Sequence, residues 1–168
     1  MKQKVTVIVQ KQNNGNSMNP GNRVHSGIGT YTELLLSSMK EVCDFKIKSP
    51  QYFLQYPVCL KKQEGIMHIT SQDLALPLLF RKYARTVVTV HDIIPLQYPL
   101  FENALHIRRK KCDKWIYGKT IEALQYADQI ICVSNATKNA LIKYMPKLEP
   151  KITVVHEDRK STRLNSSH

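Results

Sequence analysis

Residues 86–95 read TVVTVHDIIP. Thr86–Val90 is β-branched throughout and gives the strongest strand signal in the chain. The strand ends at His91-Asp92, and Ile93-Ile94-Pro95 follows. Upstream, Ile66–Ile69 reads as a second short strand and Val5–Val9 as a third, apolar on both faces. Downstream, Ile130–Val133 and Ile152–Val155 repeat the pattern, and Phe45–Lys48 is a weaker instance.

Helical patterns lie between these runs. Gly27-Ile28-Gly29-Thr30 opens a segment in which Ile28, Tyr31, Leu35, Met39 and Val42 recur at spacings of three and four, predicting one apolar face. Leu74–Lys82 predicts a short helix, weakened by Pro77. Residues 101–127 read as helix with a break near Gly118, its apolar side supplied by Leu105, Trp115 and Ile116. Ser134 suits the N-cap of a helix running to about Tyr144, which Pro146 stops. Residues 49–64 read only as connector. Apolar strands alternating with helices predict βαβ units, hence an α/β fold with an open, doubly wound parallel sheet of Rossmann-like type.

Size and composition agree with one such domain. The chain has 168 residues, 42% hydrophobic and 23% charged, which is globular rather than disordered. Lys plus Arg exceeds Asp plus Glu by 25 to 13, a formal charge of +12 that favours acidic partners. Cys43, Cys59, Cys112 and Cys132 form no CxxC pair and no zinc-spaced cluster, and a reducing compartment is expected. No apolar stretch approaches the roughly 20 residues of a spanning helix. The expected location is cytoplasmic, either free or resting on the inner face of the membrane.

The tail departs from this pattern. Residues 158–168, DRKSTRLNSSH, have a single Leu and no periodicity. They resemble translated adaptor sequence and are expected to be a disordered, non-native extension of a domain spanning residues 1–157, the alternative being a natural polar terminus. Without their net +2 the domain keeps +10, so its basic character is its own.

In an open parallel sheet, ligands bind outside the carboxyl ends of the strands. Three segments bring useful chemistry there. The Asn-rich stretch Gln10–Ser26 closes in Gly27-Ile28-Gly29, where two glycines at a helix start let backbone N–H groups approach an anion. His91 could donate to a sugar hydroxyl or move a proton, although Asp92 beside it on an extended strand points the other way. Ser134 caps its helix and can border a cleft. Arg108-Arg109-Lys110-Lys111-Cys112-Asp113-Lys114 is the densest basic run, readable as a solvated face or as a contact for anionic lipid or a phosphorylated acceptor.

Four segments together resemble the N-terminal half of a family-four, GT-B type glycosyltransferase: Gly27–Leu35 (GIGTYTELL), Val88–Leu96 with Tyr98-Pro99, Ala127–Lys138 (ADQIICVSNATK) and Lys151–Glu157 (KITVVHE). The resemblance implies an acceptor-side Rossmann-like domain, and a second, donor-binding C-terminal domain that this sequence does not contain. It also implies retaining transfer of a sugar from a nucleotide-diphosphate sugar to a hydroxyl of a glycan or lipid-linked acceptor, with no metal or other cofactor, and no activity for this chain alone. By that analogy His91 is catalytic, and Gly27, Gly29 and Ser134 face the donor's diphosphate and sugar. Asn22, Arg23, His25, Asp92, Arg108 and Arg109 are acceptor-side candidates. The competing reading is a basic Rossmann-like module for nucleic acid or a membrane surface. Against nucleic acid stands the absence of any RNP, KH or helix-turn-helix signature.

Overall fold

The structure, a computed structural model, describes residues 2–9, 27–48, 65–80, 85–97 and 111–156. The expectations for Asn22, Arg23, His25, Arg108, Arg109 and the 158–168 tail lie outside the described residues.

Six strands form one all-parallel sheet: β1 (Gln3–Ile8), β2 (Cys43–Lys48), β3 (Ile66–Ile69), β4 (Arg85–Val90), β5 (Gln129–Cys132) and β6 (Ile152–Val154). Their order is β2-β1-β3-β4-β5-β6. This is the α/β, Rossmann-like arrangement expected from the alternation of apolar runs and helical patterns. The described helices are α1 (Gly27–Val42), the single turn α2 (Ile94–Gln97), α3 (Lys111–Ala123) and α4 (Asn135–Tyr144).

The register explains why these short strands are apolar. Ile8, Ile69, Val88, Ile130 and Ile152 are lateral neighbours, forming one row across five strands. The first four have no exposed surface. This face packs on Leu74, Leu78, Ile121, Leu124, Leu141 and Leu148 from the segments that follow β3, β4 and β5. Full burial of each such side chain contributes about 1.5–3 kcal/mol, so the row anchors the sheet.

The opposite face carries the row Val7, His68, Val87 and Gln129, and one step on, Thr89 and Ile131. Right-handed crossovers place α1 on this face, because β1 to β2 runs across the sheet in the opposite sense to β3, β4, β5 and β6. The reversal makes β1 and β3 neighbours from which the chain departs to opposite sides. Such a switch point opens a crevice outside the carboxyl ends of the strands.

Several local expectations are corrected. Leu74–Lys82 is not one helix. Two 3-10 turns, Gln72–Leu74 and Leu76–Leu79, meet at Ala75, and Pro77 opens the second because it has no N–H for a continuous ladder. Gly118 does not break α3, which runs through it. Trp115 and Ile116 are exposed (65% and 42%), while Thr120, Ile121 and Leu124 turn inward and Tyr117 packs on the core. The helical period is as read, but the buried stripe is rotated. Val42 is exposed as well, because α1 passes directly into edge strand β2 at Cys43.

Gly65 enters β3 with φ +90, in the left-handed region, and a Cβ there would stand 2.1 Å from the carbonyl oxygen of Lys4. Only glycine lets the chain approach β1 so closely.

Candidate functional site: the carboxyl ends of β1, β3 and β4

His91 is the first residue beyond β4 and is held by three neighbouring segments. Its N–H donates to Oε1 of Gln72 (3.1 Å), in the turn after β3. Its carbonyl accepts from the hydroxyl of Thr137 (2.9 Å), in the first turn of α4. Its ring nitrogen Nε2 lies 2.9 Å from the carbonyl oxygen of Thr70. A carbonyl only accepts, so Nε2 carries the proton in this contact. Thr70 is itself fixed, its N–H and its hydroxyl both donating to the carbonyl of Ile8 at the end of β1 (3.1 and 3.0 Å). The histidine is thus moored across the switch point between β1 and β3.

A second set of contacts reaches the same ring from α1. Tyr31 meets His91 edge to face, with centroids 4.9 Å apart and planes at 83°. The Tyr31 hydroxyl is 3.1 Å from Oγ1 of Thr89, which is 2.9 Å from Nε2 of His68. His68 is buried, and desolvation pushes its pKa down to about 4, keeping it neutral at physiological pH. Among the described residues no buried side-chain nitrogen or oxygen lacks a partner.

Gly27 starts α1, and Tyr31 follows one turn later, roughly 6 Å along the axis. The glycine-led first turn therefore sits toward the edge where His91 lies. Ser134 is the N-cap foreseen: its Oγ accepts from the N–H of Thr137 (3.0 Å). Ser134 and Thr137 hydroxyls are also 3.0 Å apart. Since Thr137 gives its proton to His91, Ser134 gives its own to Thr137. Asp92 does not pair with the His91 ring in these contacts. Its Oδ1 accepts from the N–H of Ile94 (3.3 Å), fixing the turn into α2, and its carbonyl accepts from the Tyr117 hydroxyl (3.5 Å).

Cys132, the small core residue its apolar run suggested, is buried, and its thiol is pushed up to about 11 by desolvation, against the opposing pull of Lys138. At that value it is no nucleophile. Among the described residues no group of three or more His, Cys, Asp or Glu could hold a metal ion, and no helix is long and apolar enough to cross a membrane.

The residues that position His91 were not singled out from sequence. Thr70, Gln72 and Thr137 are small or neutral side chains beside strand ends. His68 is the one whose signal was present: an ionisable residue in IMHI, a run otherwise fit for the core.

With this geometry in place, the comparison with known families is decisive. The model described as Glycosyltransferase Family 4 matches residues 59–157, more than half of the chain. The chain belongs to glycosyltransferase family 4. The matched stretch of this family-four domain contains His91, Asp92, Arg108, Arg109 and Ser134, whereas Gly27 and Gly29 on α1 precede it. No curated protein matches the chain. Family membership supports a glycosyltransferase-type function for the domain.

Proposed function

We propose that the domain is the acceptor-side half of a retaining glycosyltransferase, with the donor's nucleotide held by a second α/β domain outside residues 1–168. The carrying observation is the mooring of His91 at the β1/β3 switch point by Thr70, Gln72 and Thr137, in a chain of this family. In the reaction, the bond from the anomeric carbon to the diphosphate oxygen breaks. A bond to the acceptor hydroxyl oxygen forms, that hydroxyl's proton passes to the departing diphosphate oxygen, and the nucleoside diphosphate leaves.

His91 hydrogen-bonds the transferred sugar and stabilises charge developing on it. A ring already fixed by protein contacts needs no reorganisation as the charge appears. The first turn of α1, with Gly27 and Gly29, offers backbone N–H groups and the positive end of a helix to the donor diphosphate. Ser134 borders the same cleft from α4. The acceptor is a glycan or lipid-linked sugar, with Asn22, Arg23, His25, Asp92, Arg108 and Arg109 as its contacts. The basic charge suits an anionic lipid-linked acceptor or the anionic membrane bearing it, and the domain acts on the cytoplasmic side.

The test is turnover. This chain, incubated with a panel of nucleotide-sugars and acceptors, is expected to give none above a no-protein control. Residues 1–157 joined to a family-four donor-binding domain are expected to transfer sugar, and His91→Ala in that protein to lose about two orders of magnitude or more. Transfer by the chain alone, or full activity of the His91→Ala protein, would overturn the proposal.

A further inference from the structure

We infer that Tyr31, anchored through Thr89 to His68, is a positioning residue that fixes the plane of the His91 ring at the crevice. The inference rests on the reading of His91 as the sugar-facing group, and names what sets its orientation.

The main-chain contacts of His91 to Gln72 and Thr137 hold its backbone but leave its side-chain torsions undetermined. The outer torsion of a histidine is broad, so packing has to choose the ring plane. The bond from Nε2 to Thr70 pins one ring atom and still allows the ring to swing about that bond. The edge-to-face contact with Tyr31, at 83° between planes, supplies the second constraint.

Tyr31 can serve only if its own long side chain is held. Its hydroxyl meets Thr89 at 3.1 Å, and Thr89, buried and β-branched, has few rotamers of its own. The far end of the chain is His68, 2.9 Å from the same Thr89 oxygen. In its row across the sheet His68 stands between Val7 and Val87, so an apolar side chain would suit this position. A buried imidazole is costly there unless satisfied, and its partner is the hydroxyl that anchors Tyr31. Packing alone gives no reason for the polar run His68, Thr89, Tyr31. Orientation of the next ring in line does.

The experiment reads His91 directly. Imidazole nitrogen and ring-proton resonances of His91 are recorded on the labelled chain, for wild type, Thr89→Val, Tyr31→Phe, the double variant and Thr89→Ser. Wild type is expected to show one tautomer, protonated at Nε2. Thr89→Val and Tyr31→Phe cut the same contact, so each is expected to shift the ring signals and admit the second tautomer. The double variant should match Thr89→Val, which also removes the hydroxyl that satisfies His68. Thr89→Ser keeps the hydroxyl and should restore the wild-type spectrum, which a general loosening of the core would not do. If Thr89→Val fails to fold, Tyr31→Phe and Thr89→Ser still report on the contact, the first by loss and the second by retention. Wild-type His91 signals in a folded Tyr31→Phe protein would overturn the inference, as would additive effects in the double variant. No sugar is present, so the result stands or falls separately from the transferase reading.

Discussion

Thr137 links the start of α4 to the residue on which the site turns, and Thr137→Val isolates that link. The side chain is only 8% exposed, and valine keeps its volume, so no cavity opens. What disappears is the hydroxyl that donates to the His91 carbonyl at 2.9 Å and receives from Ser134 at 3.0 Å. The N-cap itself survives, because the Ser134 oxygen accepts from the backbone N–H of residue 137. A hydrogen bond of this kind contributes about 0.5–1.5 kcal/mol net, and leaving a buried acceptor unsatisfied costs about 1–3. His91 is half-buried, so the lower part of that range applies, and about 1–2 kcal/mol of destabilisation is expected. Urea unfolding measures it as a lower midpoint at unchanged slope. Thr137→Ser is the control: it keeps the hydroxyl and loses one methyl, a cost of about 0.8 kcal/mol. A Thr137→Val protein as stable as wild type, or more stable than Thr137→Ser, would refute the assignment of this hydroxyl to His91.

Two glycines should respond with opposite signs. Gly65→Ala forces a side chain into a left-handed backbone and against the Lys4 carbonyl, and is expected to lower stability by about 2–4 kcal/mol. Gly118→Ala meets no atom within 4 Å inside α3 and is expected to raise stability by about 0.8–1 kcal/mol; urea midpoints check both. The His68 pKa is depressed in the fold, from 6.5 to about 4, so the unfolded chain binds the proton more tightly. Its contribution is therefore complete above pH 6.5 and is lost as pH falls toward 4, on the order of 3 kcal/mol in all. Unfolding free energies measured across that range should decline less steeply in His68→Gln, and an unchanged slope would contradict the buried neutral imidazole.

Much of the fold was legible because short, apolar, β-branched runs in a parallel sheet leave a simple signature. Val5–Val9, Ile66–Ile69, Thr86–Val90 and Ile130–Val133 lie within one or two residues of the observed strands, and Ser134 and Pro146 mark the ends of α4 as their chemistry requires. The inward face of α3 was not legible, since Trp115 and Ile116 are as apolar as Ile121 and Leu124. Which pair turns inward depends on the sheet beneath, and sequence spacing carries no information on that. The site divides in the same way. His91 could be found as a titratable group at a strand end. Its holders could not, because Thr70, Gln72, Thr137 and Tyr31 come from segments 21, 19, 46 and 60 residues away and look ordinary until the sheet order joins them.

A sugar is expected to lodge where β1, β3 and β4 end. Chemical-shift mapping of the labelled chain against a panel of acceptor glycans and lipid-linked sugar headgroups tests this most directly. The expected result is a cluster of perturbed amides at Tyr31, Thr70, His91 and Ser134 that disappears in a folded His91→Ala protein. Perturbation at the β2 or β6 edge of the sheet, or shifts that persist without the His91 ring, would contradict it.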